Sequence, residues 1–194
     1  MPRKKPLRIG FDLDGVLLYN PARIIRRPVT TFKHYIFPTI EKKFFIPSSQ
    51  ISTLIYEFVH ISSFKKNYGF KELELFLQNP NIESRIFTSR FGFPLLIHNT
   101  QWWYKILNQK KIFLSLTQNT NNIQPHLYKE QLIKQYGIDV YVEDNLDIVR
   151  HLSKTTNAKI LWIYNIFDRM VDYPYKYSSL KETIPVLYKM YESK

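Results

Sequence analysis

Cysteine is absent from the 194 residues, which excludes a disulfide framework, a thiolate metal site and a cysteine nucleophile, and is compatible with a reducing cytosol. Acidic residues are scarce, 16 Asp+Glu against 28 Lys+Arg, for a formal net charge of +12. No uninterrupted apolar run approaches the roughly 18 to 20 residues needed to cross a bilayer. The aromatic run Phe44-Phe45-Ile46 is closed off by Lys42, Lys43 and Pro47. The basic start Met1-Pro-Arg-Lys-Lys-Pro leads into a short stretch holding Arg8, Gly10 and Asp12, which is no signal-peptide core. Internal repeats and low-complexity linkers are also missing. The expectation is a soluble, cytoplasmic chain with no membrane span.

What is present is a foldable composition, 44% hydrophobic and 16% aromatic, far from that of a disordered chain. The length fits one domain, or one domain with a modest insertion. The positive charge is uneven. Between Gly15 and Lys71 stand nine bases (Arg23, Arg26, Arg27, Lys33, Lys42, Lys43, Lys65, Lys66, Lys71) and two acids (Glu41, Glu57), so over half the surplus sits in under a third of the chain. This favours an anionic partner without saying which one.

Short apolar runs read as strands at Leu7–Phe11, Ser84–Phe87, Ile112–Leu116, Val140–Val142 and Lys159–Tyr164. Helical spacing fills the intervals: Trp103, Ile106 and Leu107 precede the third run, and Leu127 to Tyr136, stopped by Gly137, precedes the fourth. Further helices follow Asp144 and run from about Leu180 to Tyr191. Strands alternating with helices predict an α/β fold, a Rossmann-like parallel sheet covered on both faces. From Pro21 to Asn79 the alternation fails: helical stretches such as Ile51 to Ile61 occur, and no clear strand. Residues 1–20 and 80–194 are therefore expected to form the core, and 21–79 a small helical cap inserted after the first strand. Ligands of open α/β sheets bind at the carboxyl ends of strands, so this insertion would roof the site.

The strongest chemical signal is Phe11-Asp12-Leu13-Asp14-Gly15-Val16 at the end of the first strand. Two carboxylates two residues apart cannot both be core residues, because burying an unpaired charge is costly. At a strand end they can face a cation and an anionic substrate together, with Gly15 letting the backbone turn and approach closely; an ordinary exposed turn is the plainer alternative. Three other places reach the same sheet edge. Thr88-Ser89 follow the second strand, Glu143-Asp144 follow the fourth, and Lys129 opens the helix leading into it.

Asp12-Leu13-Asp14-Gly15-Val16, Thr88-Ser89, Lys129 and Glu143-Asp144, in that order, resemble the motifs of the haloacid dehalogenase-like (HAD) hydrolase superfamily, mostly Mg²⁺-dependent phosphatases. The resemblance covers Leu7 to Asn20 and Ser84 to Tyr164. Compact size and the Val-Glu-Asp-Asn ending look most like the 5′-nucleotidase-like branch of small phosphatases. The resemblance implies that Asp12 attacks phosphorus to form an aspartyl-phosphate and that Asp14 protonates the leaving oxygen, then deprotonates water. It implies Mg²⁺ on Asp12, the backbone carbonyl of Asp14 and Asp144, all hard oxygen ligands. Thr88 would hydrogen-bond a phosphoryl oxygen with backbone N–H groups near Gly15 and Ser89, and Lys129 would offset charge on Asp12. A proton-bearing Asp14 is expected, since Asp12 and Asp144 disfavour a further negative charge.

Several neighbours compete for these roles. Lys134 rivals Lys129, and Glu143 and Asp147 are expected to support the metal or face solvent rather than ligate it. Arg90, after the hydroxyl pair, is a candidate for substrate contact or a surface arginine. Arg23, Arg26 and Arg27 could grip a second charged group or form a solvated face. His34, His60, His98, His126 and His151 lack metal-ligand spacing, which argues against zinc. The adjacent Trp102 and Trp103 cannot share a helix face, so one or both should pack beneath the sheet.

The expected function is Mg²⁺-dependent hydrolysis of a phosphomonoester, the substrate a small phosphorylated metabolite or nucleotide. The alternatives are a phosphatase acting on nucleic-acid ends, gripped by the basic insertion, and a degenerate binding module that kept the fold without turnover.

Overall fold

The computed structural model describes residues 5–21 and 44–194. Six parallel strands form the main sheet: β1 (Leu7–Phe11), β4 (Ile82–Phe91), β5 (Ser115–Asn119), β6 (Val140–Glu143), β7 (Lys159–Ile163) and β8 (Lys176–Tyr177), in the spatial order β5-β4-β1-β6-β7-β8. A two-residue antiparallel pair, β2 (Leu18–Tyr19) with β3 (Lys65–Lys66), sits apart from it. The helices are α1 (Gln50–Ile61), α2 (Phe70–Leu77), α3 (Pro94–Leu107), α4 (Pro125–Tyr136), α5 (Leu146–Thr155) and α6 (Leu180–Glu192).

Alternation along each strand sends residues to two cores, as the pleat requires. Leu7, Ile9 and Phe11 of β1, Val140 and Val142 of β6, and Leu161 and Ile163 of β7 join α2, α3 and α6 in one cluster. Tyr141, Ile160, Trp162 and Phe87 join α4 and α5 in the other. Both faces are covered, which is why the central strands read as near-continuous apolar runs. Gly10 faces the second cluster: a Cβ there would lie 2.6 Å from Tyr141 Cδ2 and 3.3 Å from Phe87 Cε2, so only glycine lets those rings close over β1. Gly137 ends α4 in the left-handed conformation at φ 56°, its N–H reaching the Ile133 and Lys134 carbonyls.

Chain order and spatial order part company at β1. The chain passes from β1 to β4 and β5 on one side, then returns to β6 on the other. The carboxyl ends of β1 and β6 therefore flank a topological switch point, the place where such sheets bind ligands.

Four expectations change. The third strand begins at Ser115 rather than Ile112; Ile112 and Phe113 are buried just ahead of it. The edge strand β8 was not anticipated. Residues 21–79 do contain a strand, β3. Finally, Phe70, Leu73, Phe76 and Leu77 of α2 pack in the first core cluster, and α2 lies against α6, so this helix covers the sheet. Trp103 is buried in that cluster while Trp102 is half exposed. Arg23, Arg26, Arg27, His34, Lys33, Lys42 and Lys43 lie outside the described residues. Among the described residues no helix is long and apolar enough to cross a membrane.

Candidate active site

β1 delivers Asp12 one residue past its end, held by its N–H to the Val142 carbonyl of β6. β6 delivers Glu143 at its last position and Asp144 one beyond. The Trp162 indole N–H donates to the Asp144 carbonyl at 3.2 Å, and Asn145 caps α5 by accepting from the Asp147 N–H. Lys129 comes from the second turn of α4 and is buried, with 1% of its surface exposed. Its Nζ lies 2.9 Å from Asp12 Oδ1 and 2.6 Å from Glu143 Oε2. Lys134 instead pairs with Glu130 on the surface. Of the two lysines, only Lys129 points inward to the carboxylates at the strand ends.

Carboxylate oxygens of Asp12, Glu143 and Asp144 all lie within 4.8 Å of one another, the one such group among the described residues. Three carboxylates face one ammonium. Burial pushes Asp12 well above the usual carboxylate range; Lys129 pulls it back only in part, and Glu143 and Asp144 push it further. Glu143 is raised too, by burial against the pull of Lys129. Burial would lower Lys129, but Asp12 and Glu143 override it and hold the ammonium protonated.

That residual negative charge is what a divalent cation would neutralise, and an all-oxygen set suits Mg²⁺. The residues present fit such an ion. Both Glu143 oxygens are already engaged, Oε2 by Lys129 and Oε1 by the N–H groups of Asp144 and Asn145. Asp12 gives only Oδ1 to Lys129. Of these two, Asp12 is thus better placed than Glu143 to ligate.

Asp14 belongs to a second cluster. Arg90 Nε and Nη2 donate to Asp14 Oδ2 and Oδ1, each at 2.7 Å. Ser63 Oγ adds a 2.6 Å bond to Oδ1, and His60 Nδ1 lies 3.2 Å from Oδ2. Burial would raise the Asp14 carboxyl, but the Arg90 guanidinium, helped by His60, holds it far below the usual range. The expected proton-bearing Asp14 is corrected: the arginine fork outweighs the burial that would favour a proton, and holds the carboxyl in its ionised form.

Arg90 is corrected as well. It is fully buried, and its five N–H donors go to the two Asp14 oxygens, the His60 carbonyl, Asn99 Oδ1 and Thr100 Oγ1. No donor remains for a substrate. The register of β4 against β5 shifts between Thr88 and Phe91, a local irregularity of the kind that re-aims side chains near active sites. Thr88 is buried, its Oγ1 accepting from the Arg90 N–H at 3.3 Å. Ser89 Oγ is buried with no hydrogen-bond partner. Gly15 turns at φ 85°, open to glycine alone at low cost, and Asn67 Nδ2 donates to the Gly15 and Val16 carbonyls. Asp147 sits half-buried on the first turn of α5.

Helix α1 roofs this side. The Tyr56 ring stacks on Phe91 with centroids 4.9 Å apart, and its hydroxyl donates to the Ser89 carbonyl. His60 and Ser63, at the end of α1 and just beyond, were not singled out as site residues by sequence. Their partner lies 46 and 49 residues away, and no local pattern signals such a contact.

No family model and no curated protein matches the chain. Solved structures do. A haloacid dehalogenase-like family hydrolase from Streptococcus pneumoniae matches with a TM-score of 0.61 at 16% identity, over 94% of this chain and 98% of that one. A magnesium-bound protein assigned to the HAD hydrolases, from Bacillus subtilis, matches with a TM-score of 0.61 at 12% identity, over 95% and 100%. A HAD-superfamily hydrolase from Ehrlichia chaffeensis matches with a TM-score of 0.53 at 15% identity, over 96% and 98%. The chain has the HAD-like fold, in agreement with the resemblance read from its motifs.

Proposed function

We propose that the chain is a metal-dependent phosphomonoester hydrolase working through an aspartyl-phosphate on Asp12. The observation that carries this reading is the convergence of Asp12, Lys129, Glu143 and Asp144 at the carboxyl ends of β1 and β6, buried and with more negative than positive charge. A structural ion pair needs one carboxylate per ammonium; three around one invite a cation. The fold shared with HAD hydrolases, one of them magnesium-bound, supports the same reading.

Asp12 and Asp144, with the Asp14 carbonyl, would hold Mg²⁺. When bound, the ion would neutralise the repulsion between a phosphate dianion and a carboxylate nucleophile, the main obstacle in phosphoryl transfer. Lys129 fixes one Asp12 oxygen and leaves the other to attack phosphorus as the ester P–O bond breaks, the departing alkoxide taking its proton from solvent water. Thr88 and Ser89 would offer hydroxyl donors to the phosphoryl oxygens, while the Gly15 N–H is given to the Leu18 carbonyl within its own turn. Asp14, ionised, is suited to take the proton from the water that hydrolyses the acyl phosphate. The residues of 44–63 roof the site as the described part of a cap.

The substrate class is a small phosphorylated metabolite or nucleotide. An open cleft of about 500 Å³, lined by Tyr19, Lys65, Lys66, Tyr68 and Ser179 among others, has none of Asp12, Asp14, Thr88, Lys129 or Asp144 in its wall and so does not itself define the substrate. Its wall includes Asn67, which holds the Gly15 turn. The test is phosphate release with Mg²⁺ across nucleotides, sugar phosphates, phosphorylated oligonucleotides and an aryl phosphate. Turnover of small esters carries the proposal, turnover confined to oligonucleotides moves it to nucleic-acid ends, and none overturns it.

A further inference from the structure

We propose that Arg90 is a positioning residue that couples the seating of helix α1 to the aim of the Asp14 carboxylate; this rests on the reading of Asp14 as the proton-transfer residue. The argument is one of connectivity. Arg90 is 0% exposed, and each of its five donors has one acceptor. Two go to the two oxygens of Asp14, so the carboxylate plane is fixed by a bidentate fork rather than a single bond. A third, from Nη2 at 2.9 Å, goes to the backbone carbonyl of His60, next to the last residue of α1. The remaining two, on Nη1, reach Asn99 Oδ1 at 2.7 Å and Thr100 Oγ1 at 3.3 Å on α3. The same Nη2 therefore holds both Asp14 and the end of α1, while α3 anchors the guanidinium from behind.

Ser63 and His60 complete the coupling from the other direction, each placing a side chain on Asp14 itself. If the end of α1 moves, Asp14 loses two contacts directly, and Arg90 loses the acceptor that keeps its fork level. A lysine could supply the charge at this position but not the planar fork or the simultaneous reach to three segments. Arg90 is thus neither a substrate ligand nor a mere core ion pair. It makes a closed roof and an aligned Asp14 a single structural event.

The test uses the full chain with Arg90→Lys and, because that variant changes a buried charge site, Asn99→Ala, which removes only the shorter of the two rear anchors of Nη1 and leaves Thr100 in place. Amide hydrogen exchange is followed over residues 50–63, and phosphate release from an aryl phosphate with Mg²⁺ is resolved into kcat and KM. The coupling predicts faster exchange over 50–63 in both variants, with kcat lower by at least about tenfold for Arg90→Lys, a smaller loss for Asn99→Ala, and KM within about twofold of wild type. Should Arg90→Lys fail to fold, Asn99→Ala alone decides. Unchanged exchange in the folded variants overturns the proposal, as does faster exchange with undiminished kcat, or a rise in KM at constant kcat, which would make Arg90 a binding residue. A wild-type protein without turnover, whose variants still exchange faster over 50–63, overturns the phosphatase reading and the positioning role but leaves the tether in place.

Discussion

Lys129 Nζ stands 2.9 Å from Asp12 Oδ1 with both groups buried, and this pair joins the helix α4 to the end of β1. The same ammonium bonds Glu143 at 2.6 Å. One cation thus spans the two central strand ends and leaves the local charge negative.

Removing that cation should be costly in both stability and chemistry. Lys129→Met would leave Asp12 and Glu143 buried without their partner, and breaking a buried pair in this way costs about 3–5 kcal/mol. Lys134→Met touches only an exposed i,i+4 pair with Glu130, worth about 0.3–0.5 kcal/mol. Urea unfolding of the two variants should separate them clearly, with activity retained only in the second. Equal effects would mean that Lys129 is not the buried hub.

A bound cation should stabilise the fold. Mg²⁺ at a hundred times its dissociation constant adds about 2.7 kcal/mol, visible as a rise of several degrees in the melting temperature. Asp144→Asn should remove most of that rise while leaving the melting temperature without Mg²⁺ unchanged or higher, since it relieves like-charge crowding. Chelation should stop phosphate release reversibly. A melting temperature indifferent to Mg²⁺ in the wild type would count against the ion site.

The Asp14–Arg90 pair sets the sign of one pH response. The folded-state pKa of Asp14 lies far below its unfolded value, so its stabilisation is complete above the ordinary carboxylate range and is lost as the pH falls through and below it. Asp12 is raised and acts oppositely, favouring the folded state on acidification. The double variant Asp14→Asn/Arg90→Met removes the pair without stranding either charge. Its stability should fall less steeply than wild type between neutral pH and about pH 3 in denaturant titrations. An equal or steeper fall would show that the pair is not what acid breaks.

Much of this site was legible because its signals are local. Asp12, Asp144, Thr88 and Lys129 each follow or precede an apolar run, and strand ends in an α/β sheet converge without further instruction. The Asp14–Arg90 fork was not legible, because its partners are 76 residues apart and charge alone could not say whether Arg90 faced solvent, substrate or Asp14. The Arg90 guanidinium also reverses the proton inferred on Asp14, against the effect of burial. The strand β5 was displaced for a different reason. It is a sheet edge, so Ser115–Asn119 is largely polar and half-buried, while the apolar Ile112 and Phe113 fill the core beneath it. Two-residue strands such as β8 carry no periodicity at all.

Phosphate release from an aryl phosphate in the presence of Mg²⁺, compared between wild type and Asp12→Asn, reaches the centre of the account. Asp12→Asn removes the attacking carboxylate and one charge from a crowded site, so the protein should remain folded, melt no lower than wild type, and release no phosphate above background. Turnover by Asp12→Asn near the wild-type rate would contradict the aspartyl-phosphate on which the whole reading stands.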